Sequence, residues 1–165
     1  MPSRIAAVAV LASLLLPAAA QADAPCWRPK ERESAQVRAF QTMLMVGALH
    51  CRARDGSTAE AYNAFVESQQ RRLDRHGKRL QRHFRRADRR DARGAYDRYA
   101  TALANHYSRM FDHDGPCRMV VTMARHAARA DGDGLLVLAD AYATPPPLTC
   151  GPSRDAASET VRRGG

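Results

Sequence analysis

Apolar side chains recur at steps of three and four residues along most of this chain, and no stretch alternates between apolar and polar residues. That spacing places side chains on one face of an α-helix, whereas alternation is typical of a half-buried strand. The pattern predicts helices over residues 33–51, 57–86, 88–111 and from 114 onward, followed by a short fifth helix over 135–142. We therefore expect an all-α protein built as an up-down four-helix bundle with a short fifth helix.

Each of the four long helices has one apolar face that would pack into a common core. In chain order, these faces hold Val37, Phe40, Leu44, Ala48 and Cys51, widened by Met43, Met45, Val46 and Leu49; Tyr62, Val66, Gln69, Leu73, Gly77, Leu80 and Phe84; Ala92, Tyr96, Tyr99, Leu103, His106 and Met110; and Met119, Val120, Met123 and Ala127.

Polar residues at fixed offsets mark several helix ends. Ser57 followed by Glu60 fits a capping box at the start of the second helix. Asp114 and Pro116 fit an N-cap and an early helical proline for the fourth helix. The run Asp131-Gly132-Asp133-Gly134 is expected to separate the fourth helix from the fifth.

The N-terminus has the features of a secretory signal peptide. Arg4 precedes an uncharged apolar run over residues 5–16, and Ala20-Gln21-Ala22 fits the small-x-small rule of a signal peptidase. The run is too short for a permanent transmembrane anchor. We therefore expect residues 1–22 to be a signal peptide and the protein to be periplasmic or secreted, without a transmembrane segment in the mature chain.

Four cysteines remain after the predicted cleavage: Cys26, Cys51, Cys117 and Cys150. An even number in an oxidising compartment predicts disulfides, and four cysteines allow three pairings. In an up-down bundle the end of the first helix and the start of the fourth lie at one end, which favours Cys51–Cys117 and Cys26–Cys150. The bundle domain would span residues 23–150, and the small polar residues 151–165 are expected to be a disordered tail.

Two segments of the first helices carry a family resemblance. Residues 39–51 read AFQTMLMVGALHC, and residues 62–66 read YNAFV. This text resembles a family of small exported helical proteins of Gram-negative bacteria that have no established activity, some of which carry the label S-layer protein. The resemblance implies export and a helical fold, and it supplies no catalytic residue.

The positive charge is concentrated in the second helix and the link after it. Residues 71–93 contain eleven Lys or Arg and three Asp, so they hold nearly all of the formal net charge of +9. Six of these cations are placed opposite the apolar face and form what we call the basic ridge: Arg71, Arg75, Lys78, Arg82, Arg85 and Arg89. A solvated helix face would explain the same charge and stays an open alternative.

A basic ridge on an exported protein attracts anionic envelope components. Arginine suits phosphate in particular, because its planar fork binds two oxygens at once. The expected partners are lipopolysaccharide, phospholipid headgroups, acidic polysaccharide or an envelope protein. Nucleic acid is not expected, because the chain carries an export signal.

The histidines offer an alternative function as a periplasmic copper-binding protein. His76, His83, His106 and Met110 lie on or beside the predicted apolar faces, and imidazole and thioether groups both suit copper. The chain contains no Glu-x-x-His or His-x-x-x-His motif, and no Gly-x-Ser-x-Gly or Cys-x-x-Cys motif. We therefore expect a non-enzymatic protein without a cofactor.

Overall fold

The computed structural model describes residues 27–111 and 117–145. Over these residues the chain forms five helices and no strand, which confirms the all-α prediction. The helices are α1 (Pro29–Cys51), α2 (Ser57–Ala87), α3 (Ala92–Met110), α4 (Cys117–Arg129) and α5 (Gly132–Tyr142). The predicted signal peptide, the predicted N-cap at Asp114 and the predicted tail all lie outside the described residues. None of the described helices is long and apolar enough to cross a membrane.

The first helix, α1, begins at Pro29 rather than at residue 33. A proline fits the first turn of a helix, and the Oε2 atom of Glu31 accepts a hydrogen bond from the backbone N–H of Arg28 at 2.9 Å. The apolar periodicity missed this turn because the turn is charged. The inner face from Val37 to Cys51 is mostly buried as predicted, but Met45 and Val46 are half-buried and Leu49 is 64% exposed.

The capping box predicted at the start of α2 is wrong. Ser57 is the first residue of the helix, and the side chain of Asp55 instead accepts the Ser57 backbone N–H at 2.9 Å. The buried Thr58 hydroxyl donates to the Asp55 carbonyl at 2.7 Å. An aspartate two residues before the helix therefore stabilises the N-terminal end that Ser57 and Glu60 were expected to stabilise.

The inner faces of α2 and α3 are shifted slightly from their predicted positions. On α2, Phe65 is fully buried although it lies outside the predicted stripe. On α3, Leu103 is buried as predicted, but Tyr107 replaces His106 in the core and Met110 is 56% exposed. Phe65 and Tyr107 are each next in sequence to a predicted stripe residue, Val66 and His106, which are half-buried. Which of two adjacent residues is buried depends on where the neighbouring helices lie, and the spacing along one helix does not determine this.

The break between α4 and α5 is shorter than predicted. Only residues 130 and 131 lie outside the helices, and the Oδ1 atom of Asp131 accepts the Gly134 backbone N–H at 2.6 Å as the N-cap of α5. On α4, Val120, Met123 and Ala127 are buried as predicted, while Met119 is 39% exposed.

The long helix α2 is the centre of the packing. It packs closely against α1 and α4 and less extensively against α3, while α5 packs mainly on α1. The predicted up-down four-helix arrangement is not confirmed, because α3 packs on α1 and α2 and has no comparable contact with α4. The core holds Phe40, Leu44, Phe65, Leu103, Tyr107, Val120 and Leu135, all of which are almost fully buried.

Two glutamines fix the shorter helices onto the longer ones. The Nε2 atom of Gln69 on α2 donates to the carbonyls of Ala127 and Ala130 at 2.8 and 2.9 Å. The Nε2 atom of Gln36 on α1 donates to the carbonyls of Ala139 and Ala143 at 2.8 and 2.5 Å. The carbonyls at the end of a helix lack partners within it, so these amides stabilise the ends of α4 and α5.

One of the two predicted disulfides falls on described residues. Cys51 and Cys117 are bonded, with their Cα atoms 5.7 Å apart, which confirms this pairing. The bond joins the end of α1 to the start of α4. Cys26 and Cys150 lie outside the described residues.

Candidate functional site

The basic ridge lies on the solvent side of α2. Arg71, Arg75, Lys78, Arg82 and Arg85 are exposed side chains of this helix. Arg89 is also exposed, but it follows the end of α2 at Ala87 and so does not belong to the helical face. Within the described part of the chain, no ion pair joins any ridge cation to a carboxylate.

Three further arginines of α2 lie on its inner flank. Arg72, Arg79 and Arg86 follow one another at steps of seven residues and are half-buried. The Nη1 atom of Arg72 donates to the Oε1 atom of Gln69 at 2.9 Å, and the Nη1 atom of Arg79 donates to the hydroxyl of Ser34 at 3.2 Å. The arginines of α2 therefore form two sets, one exposed to solvent and one bonded to other side chains.

Arg86 belongs to a buried ionic cluster where the start of α1 meets the end of α2. Its Nη1 and Nη2 atoms donate to Oε1 and Oε2 of Glu31 at 2.5 and 2.8 Å. The Glu31 side chain is only 7% exposed. The hydrogen bonds from Arg86 are the main reason why the pKa of Glu31 falls to about 2. Glu31 is therefore ionised at neutral pH.

The charge on Glu31 fixes the tautomer of His83. An ionised carboxylate can only accept hydrogen bonds, and the Nδ1 atom of His83 lies 2.9 Å from Oε2 of Glu31. We therefore assign the proton of neutral His83 to Nδ1. Burial lowers the pKa of His83 below its usual value, although the neighbouring Glu31 opposes this effect.

Aromatic rings surround His83. The ring of Trp27 stacks on the imidazole with centroids 3.7 Å apart. Phe84 packs edge-on against both rings, and Tyr96 and Tyr99 pack against Phe84. Burial raises the pKa of Tyr99 well above its usual value, so its hydroxyl stays neutral. This cluster joins Trp27, which lies just before α1, to α2 and α3.

A second histidine of α2 belongs to a similar polar network. The hydroxyl of the buried Ser34 donates to the Lys30 carbonyl at 2.8 Å, which leaves two lone pairs on its oxygen. Arg79 donates to this oxygen, and the Nδ1 atom of His76 lies 3.0 Å from it. Burial, together with the charges of Arg79 and Arg75, lowers the pKa of His76.

The four residues of the copper alternative fall in separate places. His76 and His83 lie two helical turns apart on α2, and each uses its Nδ1 atom toward α1. His106 is half-buried on α3, beside Tyr107, and Met110 is exposed one turn further on. Over residues 27–111 and 117–145, no group of three or more His, Cys, Asp or Glu side chains is placed to hold a metal ion. No contact therefore favours copper binding over an anionic partner.

Sequence reasoning missed Glu31, Ser34 and the inner set of arginines. The available signal was the register of the cations: His76, Arg79, His83 and Arg86 follow one another at steps of three and four, the spacing of one helix flank. Such spacing indicates polar side chains aimed at a neighbouring helix.

No family model matches the chain, and no curated protein or solved structure matches it. The resemblance to small exported proteins of Gram-negative bacteria therefore remains an expectation.

Proposed function

We propose that this chain is an exported, non-enzymatic protein of the bacterial envelope that binds an anionic surface through the basic ridge. The observation that carries the proposal is the division of the cations on α2. The ridge cations are exposed and lack carboxylate partners among the described residues, whereas the inner arginines are bonded to other side chains. The ridge can therefore meet an external anion without losing an internal contact.

The electrostatics of α2 support the same proposal. Like charges side by side raise the free energy of the free protein, and a bound anion relieves their repulsion. The ridge residues of α2 follow one another at alternating steps of four and three, so their side chains share one face over several turns.

Export is supported by the disulfide. A bond between Cys51 and Cys117 persists in an oxidising compartment and is rare in the bacterial cytosol. The signal-like N-terminus predicts the same compartment.

The test is co-sedimentation of the mature protein with anionic vesicles and with lipopolysaccharide at moderate salt. Changing Arg71, Arg75, Arg82 and Arg85 to Gln is expected to weaken binding at least about tenfold, because each basic residue near an anionic surface contributes on the order of 1 kcal/mol. Added salt should weaken binding by the wild-type protein, since salt screens exposed charges.

A control variant with the same net charge separates the ridge from general attraction. It changes four exposed arginines on other parts of the fold to Gln: Arg52, Arg109, Arg118 and Arg129. We expect this variant to keep most of its binding. Equal losses in both variants would remove the role of the ridge, and no binding by the wild-type protein would overturn the proposal.

A further inference from the structure

A cleft lies at the end of the basic ridge nearest the start of α2. It is lined by Ser68, Arg71, Arg72 and Arg75 and has a volume of about 350 Å³. The four residues are spaced at steps of three, one and three, so their side chains lie on one stripe of the helix. We call this the Arg72 cleft. Its size lies at the lower end of the range for small-molecule sites in proteins.

Arg72 is held in place by a buried relay. Gln69, which is 1% exposed, donates both amide N–H groups to the carbonyls of Ala127 and Ala130. Its Oε1 atom is then left to accept from Nη1 of Arg72 at 2.9 Å. A β-carbon on Gly132 would contact the Nε atom of Arg72 at 3.7 Å, so the guanidinium lies beside the first turn of α5. The guanidinium group of Arg72 is therefore oriented before any ligand binds.

The positive charge of the cleft is not neutralised within the described residues. Arg71 and Arg75 are exposed, and no carboxylate forms an ion pair with Arg71, Arg72 or Arg75. The acidic residues next in sequence to the cleft residues or to Gly132 are Glu67, Asp74, Asp131 and Asp133, all of which are exposed. Asp131 is already the N-cap of α5. Arg72 uses one donor on Gln69 and keeps the rest of its five N–H groups for a ligand.

We propose that the Arg72 cleft binds a phosphomonoester group. The inference rests on the proposed function, in that it names the anion which one part of the ridge selects. Three guanidinium groups on one stripe match a group that carries up to two negative charges and three terminal oxygens. Guanidinium forks bind such oxygens in pairs, and a diester offers only one charge and two terminal oxygens.

The hydroxyl of Ser68 is a weaker contributor. It donates to the Phe65 carbonyl at 3.1 Å and would have to rotate to donate to a phosphate oxygen. The fixed Arg72 and the two exposed arginines beside it therefore provide the main contacts.

The first experiment uses soluble probes on the full mature chain. Inorganic phosphate and glycerol phosphate are titrated while the arginine Nε–Hε resonances are followed by NMR. Arg71→Gln with Arg75→Gln should weaken binding about tenfold or more, because two charged hydrogen-bond donors are lost. The matched control is Arg82→Gln with Arg85→Gln, which removes the same charge from the same ridge outside the cleft and should change binding less than about twofold. Equal weakening by both pairs would overturn the proposal.

The second experiment separates a lipid headgroup from a free phosphate. Vesicles with phosphatidic acid, a monoester, are compared with phosphatidylglycerol vesicles, a diester, at matched surface potential. A preference for phosphatidic acid that the Arg71 and Arg75 pair loses supports a lipid source. If soluble phosphate binds and no vesicle binds, the Arg72 cleft is a phosphate site, and the proposed binding of an anionic surface by the basic ridge is refuted. Equal binding to both vesicles without phosphate binding refutes the cleft and leaves the proposed function standing.

Arg72→Lys tests whether the fork matters. It keeps the charge and loses the planar group that Gln69 orients. We expect phosphate binding to weaken while binding to phosphatidylglycerol vesicles is unchanged. Undiminished phosphate binding would show that only the charge at position 72 matters. It would contradict the proposal that the planar guanidinium group recognises the phosphate.

Discussion

At the residue scale, Glu31 connects one end of α1 to one end of α2, the two longest helices of the described chain. It accepts hydrogen bonds from the Arg28 backbone, from His83 and from both Nη atoms of Arg86. A buried carboxylate is costly unless it is paired and its lone pairs are satisfied, and here both conditions hold. The start of α1 is thereby fixed against the end of α2.

The pairing of Glu31 with Arg86 can be measured by a double-mutant cycle. Glu31→Gln and Arg86→Gln should each destabilise the protein by roughly 2–3 kcal/mol, because each removes the attraction between opposite charges in a partly buried ion pair. The double variant should lose clearly less than the sum, since the two residues interact directly. Urea unfolding at neutral pH measures all three values. Additive losses would show that the pair does not act as a unit.

The exposed pair Asp91 and Arg98 is the control for that cycle. Their side chains are 56% and 67% exposed, and an ion pair in water contributes little to stability. Arg98→Gln is expected to leave the unfolding midpoint nearly unchanged.

The pKa shifts predict that stability falls on acidification in two stages. The pKa values of His83 and His76 are lowered by burial, so below pH 6.5 the unfolded chain takes up protons first and stability falls. The pKa of Glu31 is lowered from 4.5 to about 2, so its contribution is complete above pH 4.5 and is lost between pH 4.5 and 2.

Urea unfolding at a series of pH values, followed by the fluorescence of the single tryptophan, Trp27, measures both stages. Glu31→Gln should remove the lower stage, and His83→Gln should reduce the upper one. Constant stability between pH 7 and 4 would contradict the shifts of both histidines.

At the element scale, the glycines of α1 and α2 show how a helix is adapted to its neighbours. A β-carbon on Gly47 would lie 2.7 Å from Cγ2 of Val120 and 2.9 Å from Cζ of Phe111. Gly77 of α2 has no atom within 4 Å of the position its β-carbon would take. The first glycine therefore permits close packing of α1 against α4, and the second has no such role.

Substituting alanine for each glycine gives opposite predictions. Gly77→Ala should stabilise the protein by about 0.5–1 kcal/mol, because alanine favours the helix and nothing must move. Gly47→Ala should destabilise it by about 1–3 kcal/mol, because overpacking outweighs helix propensity. Thermal unfolding of both variants measures the difference. A stabilised Gly47→Ala variant would show that Val120 and Phe111 can shift at little cost.

At the scale of the whole molecule, the disulfide connects two helices that are far apart in the described chain. Cys51 and Cys117 are 66 residues apart, and between them lie all of α2 and α3. A cross-link that closes a long loop removes many conformations from the unfolded chain. The bond thus stabilises the folded arrangement of α1 with α4.

Removing the disulfide should destabilise the protein strongly. Changing both Cys51 and Cys117 to Ser is expected to lower the free energy of unfolding by roughly 2–5 kcal/mol, as is usual when a native disulfide is removed from a small domain. Urea unfolding in the absence of reductant measures the loss. An unchanged midpoint would show that helix packing alone fixes these ends.

The sequence by itself determined the helices and most of their inner faces, and it favoured the Cys51–Cys117 pair among the three possible pairings. The helices and their faces follow from periodicity, which is a local property, whereas the cysteine pair depends on where the ends of α1 and α4 lie in the fold. It also located the basic ridge on α2, because exposed charges need no partner to be recognised.

Only the tertiary structure decided what the inner flank of α2 does. Whether Arg86 is a solvated cation or the partner of a buried Glu31 depends on which helix lies opposite it, and these two residues are 55 positions apart. The same holds for Gln69, which the sequence places on the predicted apolar face of α2. In the fold it stabilises the end of α4 and orients Arg72. Periodic spacing can mark a polar flank of α2, but it does not identify the residues opposite that flank, so only the fold decides these pairs.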